Sequence, residues 1–117
     1  MSQIRRYFTT PIYYVNDVPH IGHAYTSIAV DFLARFSRLC GDETRFLTGT
    51  DEHGLKIQKA AEKLSISPLE LCNKNSEIFR NLTKTLNLSN DDFIRTTEDR
   101  HKDGATYLWN LLFEKGD

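Results

Sequence analysis

The stretch from Pro11 to His23, P-I-Y-Y-V-N-D-V-P-H-I-G-H, constrains the fold of this chain more than any other part of the sequence. It follows a short β-rich run, residues 6–10, and it ends where an amphipathic helical pattern begins. The stretch therefore predicts a crossover from a strand to a helix. The N–H groups of a first helical turn are unpaired, and the peptide dipoles add roughly half a positive charge there, so the crossover predicts an anion site.

Two imidazoles, those of His20 and His23, flank Gly22 at the end of this stretch. Because Gly22 has no Cβ, a ligand can lie against the main chain while both rings donate hydrogen bonds to it, which suits a polyphosphate. A zinc site is the competing interpretation, since the two histidines together with Asp51 and His53 are residue types that bind zinc. The histidines lack the i,i+4 spacing of helical zinc pairs, so we assign no metal ligands.

The hydrophobic pattern predicts an alternation of strands and helices along the chain. We expect a strand over about residues 6–10, a helix over 23–40, a strand over 44–48, helices over 56–64 and from Ser67 to near Asn87, and a last helix capped by Thr97 or Asp99. Residues 93–95 form a short strand or an extended linker. The β-α-β order implies a right-handed crossover and an α/β fold, a Rossmann-like parallel sheet with flanking helices, without the G-x-G-x-x-G fingerprint.

Each predicted helix has an apolar face that we expect to be buried. The expected inward residues are Tyr25, Ile28, Ala29, Phe32, Phe36 and Leu39 in the first helix, Ile57, Ala60, Ala61 and Leu64 in the second, Leu71, Ile78, Phe79, Leu82 and Leu86 in the third, and Ala105, Leu108, Trp109 and Leu112 in the last. Ser27, Asp31 and Arg35 lie on the opposite face of the first helix. We expect Cys40, at the end of that helix, to be a small buried apolar residue.

Both unusual loops of the sequence directly follow predicted strands. The first is the Pro11 to His23 stretch, and the second is G-T-D-E-H-G, residues 49–54. Ligands bind outside the carboxyl ends of parallel strands, so two neighbouring strands bring the loops face to face. The expected cleft has His20, Gly22 and His23 on one side, Asp51 and His53 on the other, and Tyr14 on its floor.

The motifs resemble those of a known family. H-I-G-H, preceded by P-I-Y-Y-V-N-D-V-P, resembles the signature of class I aminoacyl-tRNA synthetases, and the flanking residues resemble the methionyl-tRNA synthetases in particular. The runs from Phe46 to Ala61 and from Asp91 to His101 resemble the same family in the same order. The resemblance implies that residues 1–117 are the N-terminal portion of a Rossmann-like catalytic domain, without its connective insertion, its second half and an anticodon-binding domain.

The resemblance also implies an activity. Methionine would be activated with ATP, accompanied by Mg²⁺, to methionyl-adenylate, and the methionyl group would then be transferred to tRNA(Met). His20 and His23 would be catalytic and, with Gly22, would bind ATP. The residues expected on the methionine side of the cleft are Pro11, Ile12, Tyr14, Asp51 and His53. In the family the aspartate at the position of Asp51 binds the substrate ammonium.

Several parts of such an enzyme have no counterpart in this chain. No K-M-S-K-S loop is present to neutralise pyrophosphate, so the isolated chain is expected to bind ATP weakly and to be inactive. Zinc is expected only in the absent insertion. The net charge of −1, from 15 basic and 16 acidic side chains, gives no electrostatic footprint for nucleic acid, so tRNA would be bound mainly through absent regions.

Composition indicates a single globular domain in a reducing compartment. The chain has 117 residues, of which 39% are hydrophobic and 26% charged. Its N-terminus lacks the apolar core of a signal peptide, and no stretch approaches membrane-spanning length. Cys40 and Cys72 are isolated from each other and are expected to be reduced thiols, which favours the cytoplasm.

Alternatives remain for individual residues and for the whole chain. Tyr13 is either a core aromatic or a site residue, and Glu52 is expected to be a first-turn acid that stabilises the following helix. The segment with Arg95, Thr96, Thr97 and Asp99 matches the family but is assigned only a helix-capping role. The alternative functions are another H-x-G-H nucleotidyltransferase and a non-catalytic structural or interaction fragment, and a large exposed apolar surface would favour the latter.

Overall fold

Strands and helices alternate through the computed structural model, which describes residues 4–116. They are β1 (Arg5–Thr9), β2 (Tyr13–Tyr14), α1 (Ile21–Leu39), β3 (Glu43–Asp51), α2 (Leu55–Leu64), α3 (Pro68–Thr85), β4 (Asp92–Arg95) and α4 (Asp99–Lys115). Residues 1–3 lie outside the described part of the chain. They belong to the N-terminus for which the sequence predicts no signal peptide.

The sheet is built around β3. β1 pairs in parallel with its first half, β2 pairs in parallel with its last two residues, and β4 pairs in parallel along the other edge. Thr50 shows the arrangement, since it is opposite Tyr13 on one side and Arg95 on the other. The predicted α/β fold with a Rossmann-like parallel sheet is confirmed, and the alternative that residues 93–95 form only a linker is wrong.

β3 is longer than the sequence pattern predicts. Gly49, Thr50 and Asp51 belong to the strand, whereas we expected them in the following loop. The reason lies in the neighbouring strand β4: a Cβ at Gly49 would lie 2.1 Å from the carbonyl oxygen of Ile94. Gly49 thus allows two backbones to approach closely, a role for glycine that resembles a turn signal in the sequence.

The hydrophobic core lies where α2 and α3 pack on the sheet. It consists of Val15, Ile57, Ala61, Leu71, Cys72, Phe79 and Phe93. Full burial of side chains of this size contributes roughly 1.5–3 kcal/mol each. The predicted inward faces of α2 and α3 are confirmed at Ile57, Ala61, Leu71 and Phe79, whereas Leu64 is exposed.

The predicted start of α3 is confirmed. Ser67 is the N-cap, its hydroxyl accepts a hydrogen bond from the N–H of Glu70 at 3.1 Å, and Pro68 occupies the first helical position. At the start of α4 the prediction is wrong, because Glu98 rather than Thr97 or Asp99 is the N-cap residue.

The buried face of α1 is the one that we expected to be exposed. Ser27, Asp31, Ala34 and Ser37 are buried, whereas Tyr25, Ile28, Ala29, Phe32, Phe36 and Leu39 are exposed. Both faces repeat with the helical period, so periodicity alone does not choose between them. Partners decide the choice: Asp31 Oδ1 accepts from the N–H and the hydroxyl of Ser89, both at 2.6 Å, and the hydroxyl of Ser37 donates to Asp42.

α4 and the end of α1 also depart from the prediction. None of the described residues of α4 is fully buried, so Ala105, Leu108, Trp109 and Leu112 are not core residues. Cys40 is exposed as well. The exposed apolar residues of α4 and the exposed apolar stripe of α1 favour the alternative of a fragment that packs against further protein.

Candidate functional site

The candidate site is built on the N-terminus of α1. His20 is the N-cap, not a residue before the helix: its Nδ1 accepts from the N–H of Gly22 at 3.1 Å. His23 lies at the third helical position, and its Nδ1 accepts from the N–H of His20 at 3.0 Å. The predicted start at His23 was therefore late, because two imidazoles here form the reciprocal capping pair that Ser and Glu usually form.

These two hydrogen bonds determine which nitrogen of each ring carries the proton. Since each Nδ1 accepts from a backbone N–H, the proton of each neutral ring is on Nε2. Burial, and then the charge of the neighbouring His20, lower the pKa of His23 and so favour its neutral form. The ring centroids lie 3.8 Å apart. The helix N-terminus thus carries two adjacent Nε2–H donors.

Gly22 is required by the ring beside it. A Cβ at this position would lie 2.9 Å from Cε1 of His20 and 3.1 Å from its Nδ1. The sequence predicts that a ligand lies against the main chain at Gly22, but in the structure the His20 imidazole occupies that space. The glycine therefore allows the N-cap ring to fold over the first turn.

Aromatic residues hold His23 in place. Its ring makes edge contacts with Tyr13 at 4.8 Å and with Phe79 at 5.0 Å between centroids. The hydroxyl of Tyr13 lies 3.0 Å from the hydroxyl oxygen of Ser27 on α1. Tyr13 therefore has both of the roles considered from the sequence, since it packs on the core residue Phe79 and also lines the site.

A cavity of about 540 Å³ opens in front of the two histidines. Its lining residues are Ile12, Tyr13, Tyr14, Asn16, Asp17, Val18, Pro19, His20 and His23. Two of the residues predicted for the methionine side, Ile12 and Tyr14, thus share this cavity with the histidine pair. Pro11 precedes them in the exposed connection between β1 and β2. The volume lies within the range of small-molecule sites.

Asp51 and His53, which the sequence predicts on the side of the cleft opposite the histidine pair, lie at or just after the end of β3 and are not among the residues that line this cavity. Asp51 is the last residue of the strand and is paired with Tyr14 of β2, so it shares the sheet edge with the cavity. Its Oδ1 accepts from the N–H of His53 at 3.2 Å. His53 lines a neighbouring concavity with Glu52 and Gly54, and its Nδ1 lies 3.0 Å from the hydroxyl oxygen of Thr96.

The prediction for Glu52 is wrong, and its true surroundings were not apparent from the sequence. Its side chain is buried and accepts two hydrogen bonds from Arg95, at 2.7 and 3.0 Å, and one each from Thr50 and Thr97. Burial alone would raise the pKa of Glu52, but the hydrogen bonds from Arg95 and Thr97 outweigh it, so the pKa is lowered. Local capping patterns missed this ion pair because its partners lie far apart in the chain.

The described residues contain neither a group of metal-binding side chains nor a membrane-spanning helix. Within residues 4–116, no three His, Cys, Asp or Glu side chains are grouped closely enough to hold a metal ion. The alternative of a zinc site at the histidine pair therefore has no support in the described residues. No helix in the same range is long and apolar enough to cross a bilayer.

Comparison with known proteins identifies the family. The model of the family described as tRNA synthetases class I (M) matches residues 6–117, so the chain belongs to that family. A methionine–tRNA ligase of Rickettsia felis is 60% identical over 110 residues, which are 94% of this chain and 22% of that protein. One from Mesorhizobium japonicum is 55% identical over 117 residues, which are the whole chain and 23% of that protein.

A solved structure agrees with the sequence comparison. Methionyl-tRNA synthetase of Mycobacterium tuberculosis, in complex with methionyl-adenylate, superimposes with a TM-score of 0.93 at 45% identity. The match covers 98% of this chain and 23% of that structure. The chain thus spans less than a quarter of the length of the relatives that it matches.

Proposed function

We propose that this chain is part of a methionine–tRNA ligase, which activates methionine with ATP and transfers it to tRNA(Met). The observation that carries the proposal is the pair of Nε2–H donors of His20 and His23 at the N-terminus of α1, beside a cavity of about 540 Å³. Similarity to methionine–tRNA ligases and to a synthetase in complex with methionyl-adenylate supports it.

In the activation step, a carboxylate oxygen of methionine attacks the α-phosphorus of ATP. The new P–O bond forms as the bond to the bridging oxygen breaks, and pyrophosphate leaves with the electron pair. Such a transfer requires alignment and positive potential at the phosphate oxygens more than covalent help. The two Nε2–H groups and the helix N-terminus supply the alignment and the positive potential. The N–H of Gly22 is not among these donors, because it already donates to Nδ1 of His20. ATP enters as its magnesium complex.

We assign the methionine to the side of the cavity formed by β2, which is paired with the end of β3. Ile12 and Tyr14 provide an apolar and aromatic wall for the thioether. The carboxylate of Asp51, paired with Tyr14 in the sheet, is available for the substrate ammonium. We also assign Pro11 and His53 to the methionine side. Pro11 belongs to the backbone that leads into this wall, and His53 lies in the adjacent concavity.

The remaining parts of the proposal concern regions beyond this chain. We assign residues 1–117 to the N-terminal portion of a catalytic domain, and coverage of 22–23% of the relatives supports a match to only a part of such a protein. The pyrophosphate-binding lysines, most of the tRNA contacts and any zinc-bearing insertion are assigned to other segments. The free thiols Cys40 and Cys72 support a reducing compartment, and we assign the protein to the cytoplasm.

A second candidate applies to the chain when it is isolated. The exposed apolar faces of α1 and α4, with Phe32, Phe36 and Trp109 among their residues, favour a structural module that packs against further protein. ATP–pyrophosphate exchange by the full-length protein separates the two candidates. The isolated chain should give no exchange above background in either case, whereas the full-length protein should be active only if the chain belongs to a methionine–tRNA ligase.

The test of the proposed function is ATP–pyrophosphate exchange by the full-length protein with each of the twenty amino acids. We expect methionine alone to stimulate exchange, because the relatives that the chain matches are methionine–tRNA ligases and Ile12 and Tyr14 offer an apolar and aromatic wall for the thioether. Stimulation by a different amino acid would indicate a synthetase of other specificity. Exchange that needs no amino acid would indicate another H-x-G-H nucleotidyltransferase.

A further inference from the structure

The segment at the end of β3, Asp51 to His53, is held in place by the residue that follows the neighbouring strand β4. The hydroxyl oxygen of Thr96, the residue after β4, accepts the N–H of Glu52 at 2.9 Å. The same oxygen lies 3.0 Å from Nδ1 of His53. One hydroxyl therefore contacts both the backbone directly after Asp51 and the ring of His53.

Thr96 is itself rigidly placed. It is buried, with 6% of its surface exposed, and its N–H donates to the carbonyl oxygen of Thr50 at 3.2 Å, continuing the pairing of β4 with β3. A threonine hydroxyl has one proton and two lone pairs, so it can accept from Glu52 while it donates to or accepts from the His53 ring. Its place in the extended sheet fixes where both partners must lie.

The side chain of Glu52 holds the same segment through a second set of bonds, to Arg95 of β4. Its carboxylate, with 0% of its side-chain surface exposed, forms a two-point ion pair with Arg95 at 2.7 and 3.0 Å. Arg95 in turn donates to Asn73 of α3 at 2.6 Å. Because the backbone of Glu52 is bonded to Thr96 and its side chain to Arg95, the residue between Asp51 and His53 has little freedom to rotate.

We propose that Thr96 is a positioning residue for the methionine side of the cleft, because its hydroxyl fixes the peptide after Asp51 and the orientation of the His53 imidazole. The inference rests on the proposed function, in which Asp51 and His53 belong to the methionine side. It assigns a role to the R-T-T segment, residues 95–97, which local sequence patterns assign only to helix capping.

The test compares three variants of the full-length protein. Thr96→Val keeps the shape and removes the hydroxyl, Thr96→Ser keeps the hydroxyl, and Thr44→Val is the matched control. Thr44 is a partly buried threonine at the opposite end of β3, where its hydroxyl donates to Ser37 at 2.9 Å. For each variant the KM for methionine and for ATP and the kcat are measured in the exchange reaction, and hydrogen exchange is followed over residues 50–54.

We expect Thr96→Val to raise the KM for methionine about tenfold, the factor that corresponds to loss of roughly one hydrogen bond, with a much smaller change in the KM for ATP. Residues 50–54 should exchange their amide hydrogens faster in Thr96→Val alone. Thr96→Ser and Thr44→Val should remain within about twofold of the wild type in both KM values, because each preserves the hydroxyl of residue 96.

An unchanged KM for methionine in an active Thr96→Val protein overturns the inference. Equal losses in Thr96→Val and Thr96→Ser also overturn it, because the methyl group rather than the hydroxyl would then matter. If the wild type itself shows no methionine-dependent exchange, the proposed function fails. In that case faster hydrogen exchange at residues 50–54 in Thr96→Val still supports positioning by the hydroxyl, and unchanged hydrogen exchange contradicts it.

Discussion

The backbone N–H of His20 donates to Nδ1 of His23 across 3.0 Å, and the His20 ring accepts in the same way from Gly22 at 3.1 Å. The bonds that cap α1 are therefore the same bonds that keep the proton of each ring on Nε2. Helix capping uses one edge of each imidazole, and the opposite edge carries the Nε2–H group that we propose binds the ligand. A substitution can consequently remove the Nε2–H donor and leave the capping acceptor in place.

Gly22→Ala should reduce activity without reducing stability. The new Cβ would lie 2.9 Å from Cε1 of His20, so the imidazole must rotate away from its position over the first turn. Alanine is favoured over glycine within a helix by about 1 kcal/mol, which offsets the loss of the cap. In the full-length protein we expect methionine-dependent exchange to fall about tenfold or more while the Tm changes little.

Gly104→Ala is the matched control for that variant. Gly104 lies in α4, and a Cβ built there meets no atom within 4 Å. The same chemical change should therefore leave exchange activity as it is and should not lower the Tm. Equal activity of Gly22→Ala and Gly104→Ala would contradict the role assigned to the orientation of His20.

Gly49→Ala should disrupt the sheet. Its Cβ would lie 2.1 Å from the carbonyl oxygen and 2.9 Å from the carbonyl carbon of Ile94, which are backbone atoms and cannot move without separating β3 from β4. We expect a loss of about 3 kcal/mol or more, at the upper end of overpacking effects. Thermal denaturation monitored by circular dichroism measures it, and a Tm equal to that of Gly104→Ala would show that β4 does not approach so closely.

Mild acid should destabilise the protein through His23. Its pKa in the folded protein is lowered from 6.5, first by burial and then by the charge of His20. The unfolded chain then binds the proton first as the pH falls, so this contribution is complete above pH 6.5 and is lost as the pH falls through the lower folded pKa. His23→Asn cannot titrate, and its Tm should fall less than that of the wild type between about pH 7.5 and pH 5.5. Equal Tm losses would contradict the shift.

The parts of the fold that could be predicted depend on local chemistry. Ser67 and Pro68 specify a helix start whatever surrounds them, and the run from Pro11 to His23 marks a crossover because its turn residues precede a helical period. The parallel sheet follows from the order of strands and helices. The cavity lies beyond the carboxyl end of β2, where a ligand site is expected, but its lining comes from the stretch between Ile12 and His23 alone and includes no residue of the G-T-D-E-H-G loop.

The errors arose where distant partners decide the structure. The buried face of α1 follows from the contact of Asp31 with Ser89, and the burial of Glu52 follows from Arg95. Neither pairing is visible in a local hydrophobic period. The extension of β3 through Gly49 depends in the same way on the approach of Ile94, since a glycine followed by Thr50 and Asp51 otherwise resembles a turn.

Thr96, which we propose as a positioning residue, also depends on partners that are distant in the chain. Thr96 was assigned only to a capping segment, yet its hydroxyl contacts Glu52 and His53. The signal in the sequence was the resemblance of residues 91–101 to the family. The N-cap of α4 at Glu98 does not explain why the whole segment resembles the family. The contacts of Thr96 with Glu52 and His53 give this segment a role beyond helix capping.

Exchange activity of His20→Asn and His23→Asn in the full-length protein tests the central claim most directly. The asparagine Oδ1 can replace Nδ1 as the acceptor in the helix cap, but no donor remains at the position of Nε2. We predict that each variant slows methionine-dependent ATP–pyrophosphate exchange about 10²-fold or more, as for other preorganised donors. The Tm should be nearly unchanged in His20→Asn and moderately lower in His23→Asn, which loses the ring contacts with Tyr13 and Phe79. Exchange within about twofold of the wild type in both variants would contradict the claim that the two Nε2–H groups stabilise the transferring phosphate.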